Sequence, residues 1–236
     1  MSLLSRLGLG RPQHPVFARN ASYFAGLDHQ RPIEEYEFVV FDTELTGLNP
    51  RRDEIVSIGA VRIRGLRILL DDTFRAYVKP FHPLPKDSTL IHRITPQQLE
   101  AAPPLREVLP AFIDYCGNSL LVAHHIGLDV AFLNKAAKTL YGSPIHNPCL
   151  DTMRLAQAYT EMRWEQYHDR FRMNVSYNLA ALSAEYALPP FTHHDAFEDA
   201  LQAAYLFLYL VKKMRSEGVV TLKDLFNAGQ TWRWIM

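Results

Sequence analysis

The order of its predicted elements places this 236-residue chain in the α/β class, with a mixed sheet flanked by helices. Three observations predict it. Strand-like runs come first, between residues 37 and 79. A short apolar strand then alternates with helical segments over the rest of the chain. Nearly half of the residues (48%) are hydrophobic, enough to bury one full core in a domain of ordinary size.

Residues 1–36 read as an extension. Pro12, Pro15 and Pro32 interrupt it and its aromatics (Phe17, Tyr23, Phe24) follow no period, so a partly ordered segment packing Tyr23 and Phe24 onto the body is expected. The β-branched and aromatic run Phe38–Phe41 predicts a buried strand over Glu37–Asp42, stopped by Thr46-Gly47. Further strands are predicted over Glu54–Ile63 and Ile68–Lys79, with turn signals at Asn49-Pro50 and Gly65. Helices follow Pro96 and Pro104, the second ending near Cys116-Gly117. Ser119–Ala123 is a short strand, and Ile126–Tyr141 a helix closed by Gly142. Beyond Asp151–Tyr159 lies a polar, aromatic stretch (161–177), then a short helix from Asn178 to Tyr186 and a long one from about His193 to Arg215. The domain thus spans 37–215, and 216–236 reads as a tail ending Trp232-Arg233-Trp234.

Composition narrows the function classes. Cys116 and Cys149 form no CxxC, which argues against a disulfide framework or zinc ribbon and suits a reducing cytoplasm. The N-terminus has no signal-peptide pattern, and the longest apolar stretch, near Leu201–Val211, is too short to span a bilayer, so no membrane partner is expected. Lys and Arg balance Asp and Glu at 25 each, so no general basic field recruits nucleic acid. An enzyme gripping only a chain end is compatible with that balance.

Acids in unusual places carry the chemistry. Asp42 and Glu44, two apart on a strand, share one face, and co-facial carboxylates beside an apolar core repel each other unless a cation sits between them. Hard divalent metals bound by oxygen are the natural candidates; two unrelated acids at a solvated strand end are the plainer reading. Asp129 shares a helical stripe with Ile126, Leu133, Ala136 and Leu140, which is a core face. Asp199 lies at the edge of the stripe Ala196, Ala203, Phe207 and Leu210, where small alanines let the helix approach the sheet. Thr192-His-His-Asp195 fits a capping box, which accounts for Asp195 but leaves Asp199, two turns in, unexplained. One such acid is commonplace. Three inward sites in one domain are not.

These residues also fall into a known order. Asp42-Thr43-Glu44-Leu45-Thr46-Gly47, Ala123-His124-His125-Ile126-Gly127-Leu128-Asp129 and His194-Asp195-Ala196-Phe197-Glu198-Asp199 resemble the three motifs of the DEDDh 3′–5′ exonucleases. That family contains the epsilon proofreading subunit of bacterial DNA polymerase III, ribonuclease T and oligoribonuclease. Ile91-His92-Arg93-Ile94-Thr95, Leu150-Asp151-Thr152 and Asn178-Leu179 to Leu182 are similar to its secondary motifs, so the resemblance covers about residues 37–215. His125 stands where the family has Asn, and Leu128 where it has Phe; both changes bear on substrate preference more than on chemistry.

The resemblance implies a ribonuclease H-like fold with a sheet of about five strands. It implies hydrolysis at a nucleic-acid 3′ end with release of nucleoside 5′-monophosphates, using two divalent ions, Mg²⁺ or Mn²⁺. Asp42, Glu44, Asp129 and Asp199 would hold the metals, and His194 would be the general base, since imidazole accepts a proton near neutral pH. Thr43, Leu45, Thr46, Ile91 and His125 would meet the substrate, with Leu45 and Ile91 flanking the terminal base and the backbone near Thr46 meeting its sugar. Single-stranded DNA or RNA is the implied partner; association with a DNA polymerase is implied too, although no second domain for holding one is evident. Arg163, Trp164, Tyr167, Arg170, Phe171 and Arg172 interleave bases with aromatics, as a single-strand platform or as an amphipathic surface insertion would. Two rival classes remain: an HD-type metal phosphohydrolase, suggested by His124-His125 and His194-Asp195 but all-helical, and a non-catalytic nucleic-acid-binding subunit on the same fold.

Overall fold

The computed structural model describes residues 14–166, 176–191 and 194–229. A five-stranded sheet, in the order β3-β2-β1-β4-β5, is built from β1 (Glu37–Leu45), β2 (Ile55–Arg64), β3 (Arg67–Tyr77), β4 (Leu120–Ala123) and β5 (Cys149–Asp151). The first three strands form an antiparallel meander, while β4 and β5 run parallel to β1. Such a mixed sheet excludes the all-helical HD frame. The helices among the described residues are α1 (Pro15–Tyr23), α2 (Lys86–His92), α3 (Pro96–Glu100), α4 (Leu105–Cys116), α5 (Ile126–Tyr141), α6 (Thr152–Gln166), α7 (Leu179–Glu185), α8 (Ala196–Arg215) and α9 (Leu222–Gly229).

The period of two along β1 divides the core. Phe38 and Val40 face α6, α8 and α9, with the Phe38 ring 4.9 Å from Phe207. Val39 and Phe41 face α1, α4 and α5, with Phe41 5.5 Å from Phe112. Burial of each such side chain stabilises the fold by roughly 1.5–3 kcal/mol. Arg62 of β2 is the buried cation of the framework. It donates to Asp72 at 2.7 Å, the Ser119 hydroxyl at 2.7 Å and the Tyr115 carbonyl at 2.5 Å, so its desolvated guanidinium is satisfied.

Several expectations are revised. Strand β1 runs three residues past Asp42, because Asp42 and Glu44 both pair with β2 before a bulge at Glu44/Leu45. The segment before β1 packs through Val16, Phe17 and Asn20 rather than Tyr23, which is exposed. Phe17 stacks on Tyr141 at 4.9 Å, and the Asn20 amide exchanges hydrogen bonds with Asn147 and the His146 N–H. The chain beyond Gly218 carries α9, capped where Thr221 and Asp224 bond reciprocally. Strand β5 and helix α2 are too short, at three and seven residues, to show a period.

Candidate active site

Strands β1 and β4 are parallel neighbours; β1 turns back into β2 while β4 leads into α5, and a crevice lies at their carboxyl ends. Such a crevice is where α/β sheets place their sites. Asp42 and Glu44 project here from β1. Asp129 arrives in the first turn of α5, and Asp199 in the first turn of α8. One ligand oxygen from each of Asp42, Glu44 and Asp199 lies within 4.8 Å of the others.

Asp129 completes the cluster from the other face of the sheet. Its carboxylate, 5% exposed, accepts a hydrogen bond from the Thr43 hydroxyl. Thr43 therefore serves the acid, and its side chain is buried.

The electrostatics confirm crowding. Burial, followed by Asp129, Glu44, Asp199 and Asp195, holds Asp42 well above the usual carboxylate range. Burial, then Asp199, pushes Glu44 up to about 8. Burial raises Asp129 to about 7, against the opposing bond from Thr43. The charges that act most on Asp42 and Glu44 are other carboxylates, and all-oxygen donors at this spacing suit a hard divalent ion.

The close approach of α8 depends on a residue the sequence reading passed over. Gly59 of β2 is in register with Asp42, and a Cβ there would lie 2.2 Å from the Phe197 nitrogen and 2.3 Å from the Ala196 carbonyl carbon. The missing side chain lets the first turn of α8 rest on the sheet, which carries Asp199 to the strand acids. A glycine inside a strand is the available signal for such backbone approach.

Helix α8 begins later than the sequence suggested. Asp195, rather than Thr192, is its N-cap, accepting from the Phe197 and Glu198 N–H groups at 3.0 and 3.1 Å. Asp199 is therefore one turn in, not two. His194 sits before the cap with a left-handed backbone (φ 65°), and its N–H donates to the Asp199 carboxylate at 2.9 Å. That bond ties the histidine backbone to the acid cluster.

The remaining predicted residues divide. His125, exposed and left-handed (φ 62°), is the N-cap of α5 and stands over the Asp129 turn. Its N–H donates to Asp151, a 3% exposed acid that also accepts from Met153 N–H and so steadies both loops. Asp151 was legible only as part of a motif, although an acid between an apolar strand and a helix is itself a capping signal. Burial pushes His124 down to about 4, and both of its ring nitrogens are engaged away from the acids: Nε2 donates to the Tyr177 carbonyl while Nδ1 accepts from Thr152. Leu45 is half-buried at the strand end and Ile91 is 55% exposed on α2. The Thr46 N–H is committed to the Glu54 carbonyl at 2.9 Å, so that donor is not free for a sugar. Of the basic and aromatic stretch, Tyr167, Arg170, Phe171 and Arg172 lie outside the described residues, as does the side chain of Trp164.

An α/β domain with carboxylates converging on the carboxyl ends of parallel strands defines a class of metal-assisted phosphodiester hydrolases. The family model for exonucleases of the ribonuclease T type matches residues 39–207, and the chain belongs to that family. DNA polymerase III of the PolC type from Thermotoga petrophila is 35% identical over 205 residues, 87% of this chain and 14% of that protein. A DNA polymerase III subunit epsilon-like protein of Rhodobacter capsulatus is 34% identical over 81% of this chain and 26% of its own length. The chain thus spans a minor part of these relatives. Among solved structures, Exonuclease X in complex with 5′-overhanging duplex DNA superposes with a TM-score of 0.59, at 23% identity over 81% of this chain and 99% of that one. The zinc-bound Escherichia coli ExoI–ssDNA complex gives 0.66, at 20% identity over 80% of this chain and 42% of that one. Both establish the shared fold. Among the described residues, no helix is long and apolar enough to cross a membrane.

Proposed function

We propose that this chain is a metal-dependent 3′–5′ exonuclease domain that removes nucleoside 5′-monophosphates from the 3′ end of a nucleic-acid strand. The observation that carries this reading is the convergence of Asp42, Glu44 and Asp199 within 4.8 Å, with Asp129 beside them. These four acids would hold two divalent ions, Mg²⁺ or Mn²⁺, which when bound supply charge neutralisation and Lewis-acid polarisation of the scissile phosphate. Asp42, on a rigid paired strand, anchors the set, and Thr43 orients Asp129. His194 accepts the proton of the attacking water from its position at the mouth of α8. Leu45, Ile91 and His125 form the apolar and polar walls around the terminal nucleotide, with Thr46 shaping the turn beneath it.

The substrate is DNA with a single-stranded 3′ segment, a reading supported by the DNA complexes of Exonuclease X and ExoI. Proofreading beside a polymerase in the cytoplasm is the role favoured by the PolC-type and epsilon-like relatives. The test uses matched DNA and RNA oligomers, labelled at either end, with Mg²⁺ or Mn²⁺ and with chelator. A ladder shortening from the 3′ end, lost on chelation and absent in Asp42→Ala, is the expected result. Shortening from the 5′ end, products bearing 3′-phosphates, or activity surviving thorough chelation would overturn it.

A further inference from the structure

A cleft of ≈ 220 Å³ opens beside the acid cluster, between α2, the β2–β3 edge and the start of α8. Its floor continues the catalytic row across the sheet: Ser57 is in register with Glu44 on one side and with Tyr77 on the other. Tyr77 is therefore two strand spacings, about 10 Å, from Glu44. The walls include Arg93, Gln98, His194 and Asp195. Asp195 is already engaged by the backbone of α8, so the cleft is less acidic than its lining suggests.

Arg93 is held there at some conformational cost. It is the C-cap of α2 in a left-handed conformation (φ 59°, ψ 10°), which suits glycine better than a side chain with a Cβ. The turn is locked on both sides: Arg93 N–H donates to the Thr89 carbonyl at 2.9 Å, and Ile94 N–H donates to buried His92 Nδ1 at 3.0 Å. The guanidinium is exposed, and among the described residues no carboxylate lies within salt-bridge distance of it. Beside it, Tyr77 is 41% exposed and only loosely held by Gln98 at 3.5 Å. A strained backbone carrying an unpaired cation into a cleft beside an acidic centre calls for an anionic occupant. The chain has no net positive charge to hold a strand elsewhere by bulk attraction.

We infer that this cleft is the binding site for the strand upstream of the scissile bond, with Arg93 on a backbone phosphate and Tyr77 against the adjoining nucleotide. This rests on the exonuclease reading and adds a length requirement to it: the domain prefers single strands long enough to reach the cleft. The contact is one exposed charge pair plus one aromatic face, so its effect falls on substrate affinity rather than on the chemical step.

The experiment compares a single-stranded DNA decamer with the 4-nitrophenyl ester of thymidine 5′-monophosphate, which has no upstream phosphate. Arg93→Gln and Arg93→Gly are expected to raise KM for the decamer about three- to tenfold with kcat nearly unchanged. They should also flatten the slope of log(kcat/KM) against log[salt] by about 0.7, the share of one phosphate contact on a single strand. Arg93→Lys should retain most of the affinity, and all three substitutions should leave the aryl ester within about twofold of wild type. Arg93→Gly relieves the left-handed strain, so its thermal midpoint should equal or exceed that of wild type, which separates lost contact from lost fold. Wild-type KM and salt slope on the decamer in either variant would overturn the inference, as would a parallel loss on the ester. A wild type that hydrolyses neither substrate with Mg²⁺ or Mn²⁺ overturns the exonuclease reading, and this inference with it.

Discussion

Replacing Gly59 by alanine tests whether the site is assembled by backbone approach. The new Cβ would stand 2.2 Å from Phe197 N, 2.3 Å from Ala196 C and 2.4 Å from Phe197 Cα, where ordinary contact begins at 3.4 Å. All three atoms are backbone, so no rotamer change relieves the clash, and the first turn of α8 must retreat by about 1 Å, an overpacking cost of about 1–3 kcal/mol. Asp199, within that turn, retreats with it. Two oxygens bound to one Mg²⁺ at about 2.1 Å can be no more than about 4.2 Å apart. The oxygens of Asp42, Glu44 and Asp199 already span up to 4.8 Å, so a small closure suffices in the wild type, but an added ångström takes Asp199 beyond reach. A misplacement of that size costs on the order of 10²-fold in rate. Single-turnover hydrolysis of a 3′-labelled oligonucleotide, metal titration by calorimetry and thermal melting together measure the three effects. Gly26→Ala, whose Cβ meets nothing within 4 Å, is the control and should behave as wild type. A Gly59→Ala protein that keeps more than about a third of the wild-type rate and its metal affinity would refute the argument.

Three other outcomes follow from the same geometry. Glu44 is raised from 4.5 to about 8, so the folded state retains a proton that the unfolded chain releases; the contribution of this group to metal-free stability is greatest below about pH 4.5 and declines towards pH 8. Melting in chelator should therefore show a midpoint falling from pH 5 to 8, with added Mn²⁺ raising it more at pH 8 than at pH 6; a rising metal-free midpoint contradicts this. Asp199→Asn should lower turnover by more than about 100-fold with little change in melting point, since it removes a ligand and relieved repulsion offsets the weaker His194 N–H and helix-end interactions, whereas Asp195→Asn should cost at most about 1 kcal/mol and keep most activity; equal activity of the two variants defeats the assignment. Thr43→Val should weaken metal binding about 10–100-fold by releasing Asp129, seen in the calorimetric midpoint, and an unchanged midpoint would leave Thr43 without that role.

What was legible in the sequence depended on how local the signal was. The alternation along Phe38–Glu44 fixes two faces and sets both acids on one of them without any knowledge of the partner strands. Asp129 and Asp199 could be read as inward because their helices are long enough, at 16 and 20 residues, to show a stripe. The start of α8 is ambiguous in the sequence because Thr192 and Asp195 both satisfy a capping pattern, and the bonds from the Phe197 and Glu198 N–H groups to Asp195 identify the cap. Gly59 carried no positive signature, since a missing side chain has meaning only against the helix that occupies its space. The same holds for Thr43, whose β-branched residue type suits any strand, and for Arg93, whose φ is a property of the α2 turn. The packing of α1 through Val16 and Phe17 rests on two adjacent apolar residues and an asparagine, too few to define a period.

The magnitudes decide what the fold itself can do for its acids. Asp129 and Asp199 each lie in the first turn of a long helix, where the positive end of the backbone dipole favours a carboxylate by about 0.3–1 kcal/mol. The hydrogen bonds from Thr43 to Asp129 and from His194 N–H to Asp199 add roughly 1.5–3 kcal/mol each as bonds to charged groups. Glu44 receives neither, and its rise from 4.5 to about 8 corresponds to roughly 5 kcal/mol favouring the neutral form. Helix end and hydrogen bond relieve Asp129 only in part, since burial still raises it from 3.8 to about 7, a cost close to that of Glu44. The cost is shared between the strand pair on β1 and the acid in the first turn of α5. A divalent cation held among these acids would offset that shared cost, with Asp42 and Glu44 offered from β1 and Asp129 and Asp199 from helices on either face of the sheet.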